Sequence, residues 1–210
     1  MDPHKLIILG AGGHAAVVSE AAALHGWDVI GFLDDAIDAN LPKSSARHLG
    51  NLKNGNAQVQ QMILDGVAVH AAAGSVEHRR SWYELFLGAK LATIIHPSAS
   101  ISASACIAEG AFVGPSAVVN ARSKVGRGTI INSGSVVEHD VSIGEFAHLA
   151  PGSIATGEVR IEDDVMIGAG AVILPRVSVS YGSIVGAGSI VVNNVNEHTT
   201  VAGNPATVIS

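Results

Sequence analysis

The 210-residue chain carries a single cysteine, Cys106. One thiol excludes an internal disulfide framework and a cysteine-rich zinc site. Set among repeats of small residues, it reads as a buried thiol rather than a nucleophile. Positive charge is scarce: 12 Lys and Arg against 18 Asp and Glu give a net charge of −6. No block of basic residues supplies the footprint of a nucleic-acid-binding protein. An anionic small molecule remains possible as a ligand, because its site needs local rather than net charge. Long apolar runs are missing too. The chain goes from Met1-Asp2-Pro3-His4-Lys5 straight into Leu6-Ile7-Ile8-Leu9, too short for a signal-peptide core or a membrane span. A cytoplasmic protein without a membrane span is expected. Aromatics make up only 4% of a chain that is 48% hydrophobic and holds 24 glycines. A core of Val, Ile and Ala suggests a repeat with little room in each layer.

That repeat is present. Stepping by six from Ile95 to Val191 visits seventeen positions, and sixteen of them are Val, Ile or Leu; the exception is Ala155. The position two residues earlier, from Thr93 to Ser189, is small or β-branched throughout. Neither a helical period nor simple strand alternation needs a six-residue beat. The pattern reads as a prism. Each hexad is a short flat strand plus a turn, and three hexads make an eighteen-residue triangular coil. Aliphatic side chains point inward, and coils stack at the strand spacing of about 4.8 Å. Periodicity leaves the handedness open, and parallel crossovers are in general right-handed.

The front of the chain is different. Lys5 to Val18, containing Gly10-Ala11-Gly12-Gly13-His14, reads as a buried strand, a glycine turn and a helix start. Such a turn lets a ligand approach the backbone, and the helix offers free N–H groups and a positive dipole end to an anion. A second strand, Asp28 to Leu33, ends in Asp34-Asp35, where ribose or base contacts fall in such units. The pattern is not GxGxxG, so a dinucleotide is not implied; the plainer alternative is a turn whose glycines serve packing alone and a His14 that caps the helix without any ligand. Val67 to Ala72 reads as a strand, Glu77 to Phe86 as a helix, and Asp38 to Asn56, punctuated by Pro42 and Gly50, as a surface loop.

Together with Phe32-Leu33-Asp34-Asp35, Ile95-His96-Pro97-Ser98-Ala99, Glu138-His139-Asp140, Gly144-Glu145-Phe146-Ala147-His148 and Gly203-Asn204-Pro205-Ala206, these motifs resemble the NeuD/PglD-like sugar acetyltransferase family over nearly the whole chain. The resemblance implies an α/β Rossmann-like N-terminal domain (residues 1–90) that binds a nucleotide sugar. A left-handed parallel β-helix of hexapeptide repeats (91–210) follows, which binds acetyl-CoA and carries catalysis. It also implies a homotrimer with active sites between subunits, and a nucleotide-linked amino sugar as acceptor. No metal is expected.

Acetyl transfer from a thioester needs a base, donors for the oxyanion and alignment of two substrates. His139 is the candidate base: an imidazole suits proton transfer near neutral pH, and this one interrupts a small, apolar repeat. An exposed turn histidine is the plain alternative. The family pattern offers Asp140 to orient it, and strand alternation leaves Glu138 as the competitor. Gly157, eighteen residues beyond His139, should sit one coil above it with an unobstructed N–H. The resemblance also places CoA contacts at Gly157, at Ala169 and Ala187 one coil apart, and at His148. Asn132 would line the same pocket, and Gly12, Gly13, His14, Asp34 and Asp35 would hold the nucleotide sugar. A structural role for His148 and Asn132 is equally open. Two departures stand out. Thr207 follows Gly203-Asn204-Pro205-Ala206 where relatives carry a cation for the CoA phosphates, leaving Arg160 or Arg176 to supply charge. Ala73-Gly74-Ser75 replaces a more polar turn.

Three other functions compete. A γ-type carbonic anhydrase needs two histidine ligands five residues apart, a spacing the β-helix histidines lack. A non-catalytic sugar-binding β-helix protein would not need His139. Sugar O-acetylation, of a sialic acid or a polysaccharide hydroxyl, would use the same base as N-acetylation of a 4-amino-4,6-dideoxyhexose.

Overall fold

The computed structural model describes residues 4–41, 45–52 and 57–210. They form two compact units, Met1–Pro97 and Ser98–Ser210.

The first unit runs β1 (His4–Leu9), α1 (Gly13–Leu24), β2 (Trp27–Leu33), β3 (Arg47–His48), α2 (Ala57–Leu64), β4 (Ala68–Ala71) and α3 (Val76–Leu85). The strands make one parallel sheet in the order β3-β2-β1-β4. Leu6, Ile7, Ile8 and Leu9 are all fully buried, as a central parallel strand covered on both faces requires. The stretch expected as a loop contributes β3 instead: Arg47 and His48 pair with Gly31 and Phe32 through backbone groups. Its Pro42 and Asn56 lie outside the described residues. Beyond β4 the chain keeps to the same sheet edge, since Ala92 N–H donates to Val69 O at 2.8 Å and Leu91 bridges Val69.

The second unit is a three-sided parallel β-helix. Two-residue strands recur every six residues from Ser100–Ile101 to Ile190–Val191. Each pairs with the strand eighteen residues away: Val136 lies between Val118 and Ile154, Ser142 between Lys124 and Arg160, His148 between Ile130 and Met166. Three faces follow. One presents Val118, Val136, Ile154, Val172 and Ile190 outward and is called the aliphatic face; the next presents Cys106, Lys124, Ser142, Arg160 and Ser178 and is called the polar face. The third presents Phe112, Ile130, His148, Met166 and Ile184. Cys106 is therefore exposed, not buried as expected, because it takes the outward position of its strand and Ile107 the inward one.

From Val113 to Val191 every sixth residue is buried, Ala155 included, and so is the small residue two positions earlier. Hydroxyls inside this narrow core are satisfied by turn carbonyls of the following coil: Ser123 Oγ donates to Glu138 O at 2.6 Å, Thr129 Oγ1 to Gly144 O at 2.8 Å and Ser135 Oγ to Ala150 O at 2.9 Å. The corners repeat as strictly. From Gly110 to Gly188 every sixth residue is left-handed, with φ between 56° and 69°. Half are glycine. The rest are Ser116, Arg122, Asp140, Phe146, Glu158, Asp164 and Arg176, each bearing the cost of a β-carbon in that region. The beat ends where Thr200 pairs with Ile184, sixteen residues on rather than eighteen. Among the described residues no helix is long and apolar enough to cross a membrane.

Candidate active site

His139 occupies the corner between the aliphatic and polar faces, two residues past the Val136–Val137 strand. Its Nδ1 lies 2.9 Å from Asp140 Oδ2. Asp140 is the corner's left-handed residue (φ 60°), and this conformation lets adjacent side chains meet. Arg122, the left-handed residue one coil earlier, grips the same carboxylate with both ends of its fork: Nε to Oδ1 at 2.7 Å and Nη2 to Oδ2 at 2.7 Å. The Arg122 hydrogen bonds, and after them the one with His139, hold the Asp140 carboxyl well below the usual carboxylate range. An ionised carboxylate only accepts, so Nδ1 carries a hydrogen, and in a neutral imidazole that leaves the lone pair on Nε2. Glu138 is engaged otherwise, its Oε2 accepting the His139 backbone N–H at 3.3 Å.

Gly157 sits one coil on. A β-carbon there would stand 2.7 Å from Cε1 and 2.8 Å from Nε2 of His139, so only glycine leaves the imidazole its place. Among the described residues no hydrogen bond uses the Gly157 N–H, while its carbonyl accepts from Arg176 N at 3.1 Å. Arg160 and Arg176 open beside this corner. With Asp140, Glu158 and Ser178 they line a cavity of about 600 Å³.

Other expected residues lie elsewhere on the prism. His148 is buried on the third face, its Nε2 3.2 Å from Asn132 Nδ2, so these two are brought together. Ala169 and Ala187 are exposed and adjacent, Gly188 N donating to Ala169 O at 2.8 Å. They follow the Met166–Ile167 and Ile184–Val185 strands, which puts them on the corner between the third and aliphatic faces. One chain therefore carries His139 and Gly157 at one edge of its aliphatic face and the alanine pair at the other.

In the first unit, Gly12, Gly13, His14, Asp34 and Asp35 line one cavity of about 360 Å³ at the carboxyl ends of β1 and β2. Gly12 is the N-cap of α1, and His14 lies inside the first turn of the helix rather than at the capping position. Asp34 ties the turn to β2: Oδ2 accepts Ala11 N–H at 2.7 Å and Oδ1 accepts Ala36 N–H at 2.9 Å. Asp35 Oδ1 accepts Leu52 N–H at 3.0 Å. Gly10 (φ 95°) is needed twice, for its backbone and because a β-carbon would stand 3.0 Å from the Trp82 ring. Trp82 stacks on His78, centroids 5.5 Å apart, and both rings line the cavity. The Ala73-Gly74 turn is held from below by buried Arg79, whose Nη1 donates to both carbonyls at 3.0 and 2.7 Å. Nearby His70 is fully buried, and desolvation lowers its pKa to about 4. Sequence reasoning missed His78, Trp82 and Arg122. For Arg122 a signal existed, since it stands one coil, eighteen residues, before Asp140.

A hexapeptide-repeat prism with a histidine on a corner marks the class of β-helix acyltransferases. Within that class the chain belongs to the NeuD/PglD-like sugar acetyltransferase family. Residues 5–86 match the PglD N-terminal domain. The acetyltransferase domain of PglB from Neisseria gonorrhoeae is 35% identical, with 98% of this chain and 100% of that chain covered and a TM-score of 0.88. The same domain in complex with acetyl coenzyme A gives 34% identity, 99% and 100% coverage and a TM-score of 0.89. PerB from Caulobacter crescentus, in complex with CoA and GDP-perosamine, gives 31% identity, 98% and 97% coverage and a TM-score of 0.87. No curated protein matches the chain.

Proposed function

We propose that this protein is an acetyl-CoA-dependent N-acetyltransferase acting on a nucleotide-linked 4-amino-4,6-dideoxy sugar in bacterial surface-glycan or glycoprotein synthesis. The observation that carries the proposal is the His139–Asp140 pair beneath the bare backbone of Gly157. In this reading the sugar amine attacks the thioester carbonyl carbon while His139 Nε2 takes its proton. Asp140 stabilises the imidazolium through Nδ1 and keeps the ring aimed. The Gly157 N–H donates to the oxyanion of the tetrahedral intermediate. Collapse expels the CoA thiolate, which takes the proton from His139 and leaves as the thiol, and the amide remains on the sugar. The relatives' CoA and GDP-perosamine complexes support an amine acceptor and a CoA donor.

The front cavity would hold the nucleotide, with its phosphates on the uncapped N-terminus of α1. Ala169 and Ala187 would offer backbone groups to the pantetheine arm. His148 and Asn132 would face the acetyl group or the sugar. The active protein would be a homotrimer working in the cytoplasm. The aliphatic stripe from Val118 to Ile190 is the surface that association would cover, and a neighbouring copy would bring its alanine corner to this copy's His139 corner.

The test is release of free thiol from acetyl-CoA with UDP-, dTDP- and GDP-linked 4-amino-dideoxysugars and with free and CMP-linked sialic acid. Release with one amino sugar, together with the mass gain of one acetyl group on it, is expected and names the nucleotide. Release with sialic acid alone would move the function to O-acetylation. Binding of acetyl-CoA without turnover on any acceptor would overturn the proposed acceptor class.

A further inference from the structure

We infer that Arg122 is a positioning residue for acetyl transfer, acting on His139 through Asp140. The inference rests on His139 being the base. Arg122 is two-thirds exposed, yet both of its contacts to Asp140 are 2.7 Å, the fork geometry that fixes a carboxylate in a plane. One oxygen does double duty: Asp140 Oδ2 receives both Arg122 Nη2 and His139 Nδ1. The plane in which the guanidinium holds the carboxylate therefore sets the direction from which the imidazole is held. Both residues have the same left-handed backbone, φ 63° and 60°, at equivalent corners of successive coils. That matched geometry aims the two side chains at each other.

Without Arg122, Asp140 has no other cation gripping its carboxylate among the described residues. Glu158, the next residue in the corner column, is a like charge, as is Glu138 two residues before Asp140; Arg160 and Arg176 line the same cavity as Asp140 but make no ion pair with it. Without the fork, the surface carboxylate is free to turn away from the ring, toward solvent or the cavity it shares with Arg160 and Arg176. His139 would then lose the partner that fixes its hydrogen on Nδ1, and its Nε2 would no longer be reliably the basic atom. The expected loss is in kcat rather than in binding, because Arg122 touches neither substrate in this reading.

The experiment compares wild type, R122Q, R122K, D140N and R122Q/D140N, with K124Q as a charge control on the same coil. Two readouts are independent. The first is the 15N signature of the His139 ring, neutral at high pH. The Nδ1–H tautomer is expected in wild type, in larger part in R122K than in R122Q, and is replaced mainly by Nε2–H in R122Q. The second is steady-state kinetics. R122Q should lose about tenfold or more in kcat, short of the ~10²–10⁴ expected for losing the base itself, with KM for acetyl-CoA and sugar within about twofold. Adding R122Q to D140N should cost little more, because both changes act on one unit. K124Q should match wild type. Retention of the Nδ1–H tautomer in R122Q, or an undiminished R122Q loss in the D140N background, would overturn the inference. If no acceptor supports turnover, the proposed function fails by itself and the ring spectrum still decides the role of Arg122.

Discussion

Two corners of the β-helix share one backbone and differ in everything else. After Ser116, the corner between the third and aliphatic faces carries Gly134, Gly152, Gly170 and Gly188 at its left-handed position; the corner between the aliphatic and polar faces carries Arg122, Asp140, Glu158 and Arg176. The φ values are the same within a few degrees. The repeat therefore supplies the same geometry at both corners, and the charged side chains that hold His139 stand at only one of them. The bare corner leaves room for a ligand's chain to run along it. The charged corner holds the proposed base, His139.

The largest expected effect comes from removing the proposed base. His139→Ala should lower kcat by about two to four orders of magnitude, with acetyl-CoA affinity, measured by calorimetry, nearly unchanged. Near-normal turnover would erase the distinction between the corners. Gly157→Ala should come next. Its β-carbon, within 2.8 Å of the imidazole, pushes the ring off its line, and misplacement on this scale costs up to ~10²-fold in kcat. Wild-type kinetics in that variant would mean that His139 moves aside without consequence.

The bare corner should respond in stability instead. At Gly152 a β-carbon meets nothing within 4 Å, so Gly152→Ala costs only the left-handed backbone, about 1–2 kcal/mol, read as a lower melting temperature. Asp140→Gly should do the opposite, melting at or above the wild-type temperature while losing activity. The smallest effect is on pH. The Asp140 carboxyl is held below its ordinary range in the folded state. Its contribution to stability is thus full above the unfolded value of about 3.9 and is lost as pH falls through the folded value. The melting difference between wild type and D140N should be constant near neutrality and shrink below about pH 4. A difference that grows on acidification would mean that Arg122 does not hold the carboxylate.

Much of the prism was legible, because a narrow triangular core admits only aliphatic and small residues at fixed steps and prints the period on the chain. The step of eighteen also put Gly157 over His139. Other parts left no such print. Strand β3 is two exposed residues held by backbone pairing, and α2 buries only Val59 among its eight residues, so neither shows an apolar pattern. His78 and Trp82 reach the front cavity through the fold of α3, a tertiary fact without local periodicity. Whether Asp140 or Glu138 faces the ring depended on the left-handed φ of residue 140, which alternation along a strand does not foresee.

The central claim is that one site needs the His139 corner of one copy and the alanine corner of another. Two variants test it together: H139A, which lacks the base, and A187W, which blocks the bare corner. Each alone should be inactive. Unfolded together in equal amounts and refolded, they should regain about a quarter of wild-type activity, the fraction of interfaces that join two intact corners in a closed ring of randomly drawn copies. No recovery, with mixed oligomers demonstrated by mass, would contradict the account and put both corners' work within one chain.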